Sequence, residues 1–504
     1  MATDSSQWQS AWKEKESAAG KDQFQPGKWP AREIADVAAT GLEAFIPQTI
    51  GKQYVKTDDG GWPGCAPERL VMVNLGALAA AQIATVRPQI PPGMFAPAGR
   101  DVLRVDLTKN TDLGKFLEGK KLQTGTTIVV SGNGTRQSSP ILIENAWIRM
   151  VFEPTDGPPL VIAPKSAESK LDGFITVRNG GLEIDRGAFA VSATERTTLP
   201  KWLIHVVDGD LGLLHCRLHG PLNGSGRNKG LIRWQSQTGA APARPFDAPY
   251  SGYNVIQSSF LIGAGTLIDA DMRHRAMIFH NSVFVSRDDL CALNLAGPDS
   301  EIDGAVDLRY STLSAADRFF LVTGGELNVP ASSPLAIYAD RSVFGPPLRP
   351  GPQKVTPTLL SYAGSVFDHK QLSWWENRSG YSPDITTLVR PDAEEPRTRP
   401  QDFEESWAKL WGPGQVLEPL SGTNGVVLKK DLPVKADERL KLDAEDFQLH
   451  ASCRAASWEA GKMPIGAYIG TMQLPPLRAA PAPPVEKKKA TKPATNAPAN
   501  APGF

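Results

Sequence analysis

Between Leu182 and Phe367 the chain repeats one short phrase: two apolar positions separated by a single residue, then a small residue, then Leu or Phe two places later. It stands as Leu211-Leu213-Cys216-Leu218, Met277-Phe279-Ser282-Phe284, Val306-Leu308-Ser311-Leu313 and Leu360-Tyr362-Ser365-Phe367. Less regular copies occur at Val255-Ile256-Ser259-Leu261, where the register slips by one, and at Ile337-Ser342-Phe344. The small residues fall at 216, 259, 282, 311, 342 and 365, at intervals of 43, 23, 29, 31 and 23 residues. A short strand recurring at this spacing, with excursions of variable length between copies, specifies a stacked solenoid rather than a globular α/β domain.

The phrase has a physical logic. Positions five and three before the small residue point one way along a strand, whereas the small residue and the position two after it have the opposite parity. Both pairs face one core only if the chain turns between them. A small residue tucked into a corner on every coil is what a right-handed parallel β-helix requires, because each face stacks on its counterpart about 4.8 Å away. No single coil buries its apolar side alone. The expected fold is therefore mainly β, a right-handed parallel β-helix.

Charge and cysteine content narrow the function. Lys plus Arg and Asp plus Glu both number 54, so no net field draws nucleic acid or an anionic membrane. The four cysteines, at 65, 216, 291 and 453, show no paired spacing and no CxxC, which argues against a disulfide framework, a zinc site or another metal centre. Cys216 takes the place the serines hold in the phrase and reads as a small core residue. No cofactor motif is present. The start, Met-Ala-Thr-Asp-Ser-Ser, lacks the basic residues and apolar run of a secretory signal, so a cytoplasmic location is the default expectation. No stretch reaches the ~18 apolar residues of a membrane span. The nearest, Leu70 to Val86, contains Asn74 and Gln82 and reads as a buried helix.

Three regions follow. Residues 1–99 are expected to form a helical cap, with an amphipathic stretch over 4–20 that places Trp8 and Trp12 on one face. Residues 100–473 are expected to form the solenoid, opening with strands over 101–107, 126–130, 141–143, 148–152, 160–163 and 174–177 and a helix over 113–122. Insertions at 221–250 and 345–357 fall on turns, where they can rim a groove, and 403–411 reads as a short helix. Residues 474–504, rich in Pro, Ala and Lys, are expected to be disordered.

Two stretches carry a family resemblance. Asp446-Phe447-Gln448-Leu449 with Ser452, followed by Ile465-Gly466-Ala467, resembles the closing phrase of many bacterial right-handed β-helix proteins, although Cys453-Arg454 replaces their Pro-Ala. Gly125 to Gly134 with Ile141 to Glu144 resembles the opening coils of bacterial β-helix regions found alone or fused behind Ser/Thr protein kinase domains. The resemblance spans about residues 100 to 473 and implies the fold. It brings no chemistry with it, and no kinase element stands in this chain: no Gly-rich loop before a Val-Ala-Ile-Lys strand, no His-Arg-Asp and no Asp-Phe-Gly.

Several constellations can carry chemistry. Asp288 and Asp317 each lie six residues after the small residue, so on adjacent coils they stack at one turn. Carboxylate pairs at such spacing serve glycoside hydrolysis as acid and base, whereas Asp is also simply a good turn residue and Arg287 and Arg318 flank the pair. Within Asp271-Met272-Arg273-His274-Arg275, Arg273 and Arg275 are candidates to hold a uronate carboxylate. His280, Arg309 and Asp340 form an outward ladder in which Arg309 and Asp340 are expected to pair across coils. Trp374, Trp375, Asn377 and Tyr381 are the best ligand-binding candidates, since aromatic faces stack on sugars, although neighbouring strand residues face opposite ways and one Trp must be core. The function these features favour is a non-catalytic scaffold that presents an elongated face to a protein or glycan partner; the competing class is a polysaccharide hydrolase or lyase.

Overall fold

The computed structural model describes residues 87–95, 101–110, 112–392 with short interruptions, 411, 416–417, 426–433, 441–453 and 465–475. The helices expected before residue 87, most of the one at 403–411, and the tail from 476 lie outside these residues.

The chain is a right-handed parallel β-helix. Each coil gives one strand to each of three sheets in turn, as Arg275–His280, Val283–Ser286 and Cys291–Asn294 do for the coil in the middle. The first sheet has eleven strands, from Val102–Asp106 to Val416–Leu417. The second has nine, from Thr135–Ser138 to Gly380–Tyr381, and the third nine, from Ile141–Glu144 to Thr387–Pro391. Every pairing between named strands is parallel. The early strands stand where the alternation placed them, and the one early helix, Leu113–Leu117, is shorter than expected.

The repeated phrase is the register of the stack. Leu211, Asn254, Met277, Val306, Ile337 and Trp374 form one inward column of the first sheet, and Leu213, Ile256, Phe279, Leu308, Ala339 and Glu376 form the next. The corner follows at Cys216, Ser259, Ser282, Ser311, Ser342 and Ser379. Here the serine hydroxyls link coils: Ser259 Oγ accepts the Cys216 N–H at 3.0 Å, Ser282 Oγ that of Ser259 at 3.1 Å, and Ser342 Oγ that of Ser311 at 3.2 Å. Each hydroxyl also donates to the carbonyl two residues back, so a buried corner leaves no polar atom unpaired. The residue before each corner, from His215 through Ser258, Asn281, Tyr310 and Arg341 to Arg378, turns the chain at φ between 48° and 54°.

Two details of the sequence reading change. Leu360 and Tyr362 lie in the third sheet, in Thr358–Gly364, so that copy of the phrase is a coincidence of spacing. The coil it stood for is written by Trp374-Glu376-Ser379-Tyr381, and Ser379 Oγ accepts the Ser342 N–H at 3.1 Å. The register does not slip at Val255 either, because Asn254 holds the inward position.

Among the described residues, segments of the chain cover two of the three outer sides. Residues 87–95, irregular over 87–91 and a turn over 92–95 rather than helical, and 244–250, from one of the expected insertions, pack on the first sheet around Trp147, Tyr253, Val255 and Ile278. Residues 426–433, 441–453 and 465–475 lie on the second sheet, whose outward positions Phe260, Ile262, Val283 and Val285 are apolar and demand a cover. The Asp446–Leu449 and Ile465–Ala467 phrases belong to this cover and do not end the stack. Phe447 packs 6.2 Å from Phe260, Asp443 pairs with Arg217 at 2.7 Å, and the Ala467 N–H donates to Thr312 Oγ1 at 3.0 Å. No helix of the described residues is long and apolar enough to cross a membrane.

Candidate functional site

The coil register brings Asp288 and Asp317 to one turn, since the Asp317 N–H donates to the Asp288 carbonyl at 3.1 Å. Their carboxylates then diverge. Asp288 Oδ2 accepts the Gly265 N–H at 2.6 Å and so caps a turn of the preceding coil. The Asp317 side chain is 56% exposed and lies 3.8 Å from Arg318 and 3.9 Å from Arg390. Asp289, which the sequence did not single out, is the buried member of the group, and Arg318 clasps it with two hydrogen bonds of 2.7 Å. Burial pushes the Asp289 carboxyl up, against the pull of Arg318. Arg287, expected to neutralise the aspartates, donates instead to the Leu222 carbonyl at 2.8 Å.

The two arginine candidates separate. Arg273 donates from Nε to the carbonyls of Leu295 and Ala296, at 2.9 and 3.1 Å. Arg275 is 3% exposed and turned into the corner between the third and first sheets, with its guanidinium 4.8 Å above the Trp234 ring and 3.9 Å from Asp208. It is a core cation and meets no external uronate. Its position in the strand shares the inward parity of Met277 and Phe279, which the basic cluster in the sequence concealed. Burial lowers its pKa.

Parity also divides the aromatic strip. Trp374 and Tyr381 are fully buried, Tyr381 stacking on Phe344 at 4.8 Å, so neither offers a face to a sugar. Trp375 and Asn377 point outward on the first sheet and are half-buried, with Asn377 donating to Asp340 at 2.7 Å. Between them Glu376 faces the core, 2% exposed. It accepts hydrogen bonds from Trp374 Nε1 at 3.2 Å, from the Ser379 N–H at 2.8 Å and from the Tyr381 hydroxyl. Burial outweighs these three donors and pushes its carboxyl up to about 7.

The outward ladder of the first sheet has partners that sequence reasoning missed. Arg309 and Asp340 do not form the expected pair. Arg309 Nε bonds Asp307 at 2.6 Å and its Nη2 bonds the Pro88 carbonyl at 3.1 Å, while Asp340 receives Arg87 at 2.9 Å. Arg87 also binds Asp307, whose side chain is fully buried, 220 residues further along the chain. No local signal marks Arg87 for this place.

The third sheet carries a polar outer ladder without an apolar cluster over it among the described residues. Arg233 pairs with Asp269 and lies 3.6 Å from Asp271, and Asn294 donates to Asp271 at 3.1 Å. Arg233, Asp269, Ala292 and Leu321 form one half-buried outward column. Among the described residues no three His, Cys, Asp or Glu side chains converge to hold a metal ion. The chain matches no protein-family model and no curated protein.

Proposed function

We propose that the protein is a non-catalytic β-helix scaffold that presents an elongated face to a protein or glycan partner, and that this face is the outer side of the third sheet. One observation carries the reading: among the described residues, segments of the chain lie over the outer sides of the first and second sheets, while the third shows a half-buried ladder of charged, amide and apolar groups. Strands about 4.8 Å apart repeat such groups along the axis, which suits an extended ligand. The resemblance to β-helix regions found alone or behind kinase domains fits a role in a signalling protein family. The competing reading, a polysaccharide hydrolase or lyase, draws on the stacking of Asp288 and Asp317. Against it stands the engagement of Asp288 by a turn amide and of Asp289 by Arg318.

The test is a polysaccharide panel assayed for binding, reducing ends and unsaturated uronates, with Ala292→Glu, Leu321→Glu, Trp375→Ala, Asp288→Ala and Asp317→Ala variants. Binding without turnover that is lost in Ala292→Glu or Leu321→Glu and kept in Trp375→Ala is the expected result for a glycan partner. Turnover abolished by either aspartate change would overturn the scaffold reading.

A further inference from the structure

Residues 87–95 cross the strands of the first sheet lengthwise, against the direction in which the coils accumulate. Arg87 sits at Asp307 and Asp340, Pro88 at Arg309, and Phe95 at Glu183, which accepts its backbone N–H. The segment belongs to none of the three sheets. Its grip on the face below comes from side chains and single hydrogen bonds, the way a bound peptide is held. Its sequence is Arg-Pro-Gln-Ile-Pro-Pro-Gly-Met-Phe; three prolines in nine residues fix φ at 88, 91 and 92, and the segment ends in a turn closed by the Met94 N–H on the Pro91 carbonyl at 3.0 Å.

The surface beneath suits such a segment. Trp147, Phe246, Tyr250, Tyr253 and Tyr338 line it, and aromatic-lined grooves are a general receptor for proline-rich peptides, whose stiffness lowers the entropy lost on docking. The arginine pocket stands without its arginine: Arg309 holds Asp307 at 2.6 Å, Asn377 holds Asp340 at 2.7 Å, and the Tyr338 ring lies 5.7 Å from the Arg87 guanidinium. At the other end Gly212 leaves a notch, since a Cβ there would come within 2.9 Å of Phe95 and 3.0 Å of Met94.

We propose that the outer side of the first sheet is a recognition groove for proline-rich peptides led by an arginine, and that residues 87–95 occupy it as an intramolecular competitor, so that a partner of this chemistry binds by displacing them. The claim is independent of the third-sheet face and its test reads a different surface.

The probe is a fluorescein-labelled peptide of residues 87–95, titrated by anisotropy into the full-length protein. A tethered competitor acts at an effective concentration of about millimolar, so a peptide of ~10 μM intrinsic affinity should bind the wild type about a hundredfold more weakly than an open groove, and, with the strap weakened about tenfold, at least about tenfold more weakly than it binds Arg87→Ala. A peptide with alanine in place of its arginine should bind that variant at least tenfold more weakly. Met94→Ala, which loosens the far end, serves as the second weakened strap. The proposal is overturned if either variant keeps its β-rich circular dichroism and cooperative melt yet binds no better than the wild type, or if the arginine of the peptide makes no difference. Should both variants fail to fold, the wild type titrated to millimolar peptide decides: saturation with arginine dependence supports the groove, and its absence overturns it.

Discussion

Replacing Glu376 by Gln should remove a fall in stability that the wild type shows between about pH 4.5 and 7. The carboxyl lies in an inward column that holds Leu213, Ile256, Phe279 and Leu308 on earlier coils, and burial lifts it from the usual 4.5 to about 7. The fold thus favours the protonated form. This group's contribution to stability is greatest below pH 4.5, falls as pH rises from 4.5 to 7 because the unfolded chain has released the proton that the fold still holds, and is flat above that, where both states are ionised. A gap of about 2.5 units at 1.36 kcal/mol each makes the loss roughly 3 kcal/mol. Gln keeps the shape without the charge. It costs about 1 kcal/mol in acceptor capacity toward the three donors that surround it. The difference in unfolding free energy between wild type and variant, from urea titrations followed by tryptophan fluorescence, should swing by about 3 kcal/mol toward the variant between about pH 4.5 and 7, half of it complete near pH ~5.8. Amide exchange at Ser379 and Tyr381 gives the local readout of the same event. A difference that stays flat, or a wild type that gains stability as pH rises through this window, would refute the reasoning.

Asn254→Leu should stabilise the protein by about 1–3 kcal/mol, because neither side-chain polar atom of this fully buried residue has a hydrogen-bond partner among the described residues; a lower urea midpoint would contradict this. Ser342→Ala removes the acceptor of the Ser311 N–H and should cost about 1–2 kcal/mol, whereas an unchanged midpoint would mean that the corner hydroxyls are dispensable. Gly181→Ala places a Cβ within 2.0 Å of the Trp147 ring and should lower stability by about 1–3 kcal/mol, visible as a lower thermal midpoint and a shifted tryptophan emission.

The sequence discloses the coils because their cause is local and repeated. Small corner residues and flanking apolar pairs recur along the chain, and the backbone ladders follow from them. The same template misplaced one coil. It demanded an apolar residue where Glu376 stands, passed over Trp374-Glu376-Ser379-Tyr381, and accepted Leu360-Tyr362-Ser365, whose spacing matched while its strand belonged to another sheet. That one of Trp374 and Trp375 is core was legible from strand parity; which one it is, and the burial of Tyr381 and Arg275, needed the register itself. The cover over the second sheet had left a trace, since Phe260-Leu261-Ile262 and Val283-Phe284-Val285 are apolar at both parities, as strands buried on both sides are. The contacts of Arg87 left none. Its partners lie 220 and 253 residues away, and pairing at that distance is decided by the finished stack.

A pure solenoid couples each coil only to its neighbours and can be completed one coil at a time as the chain is made. Here Phe95 docks on the strand Gly181–Asp185 and Arg87 on Leu335–Asp340, so the earliest described segment fastens to some of the latest coils. Residue 340 leaves the ribosome 245 residues after residue 95. At ~5–20 residues per second that is an interval on the order of ten to fifty seconds. The Phe95 end has its strand early, whereas the Arg87 end has none until Leu335–Asp340 is made, so the finished length of the stack decides when the segment is fastened at both ends.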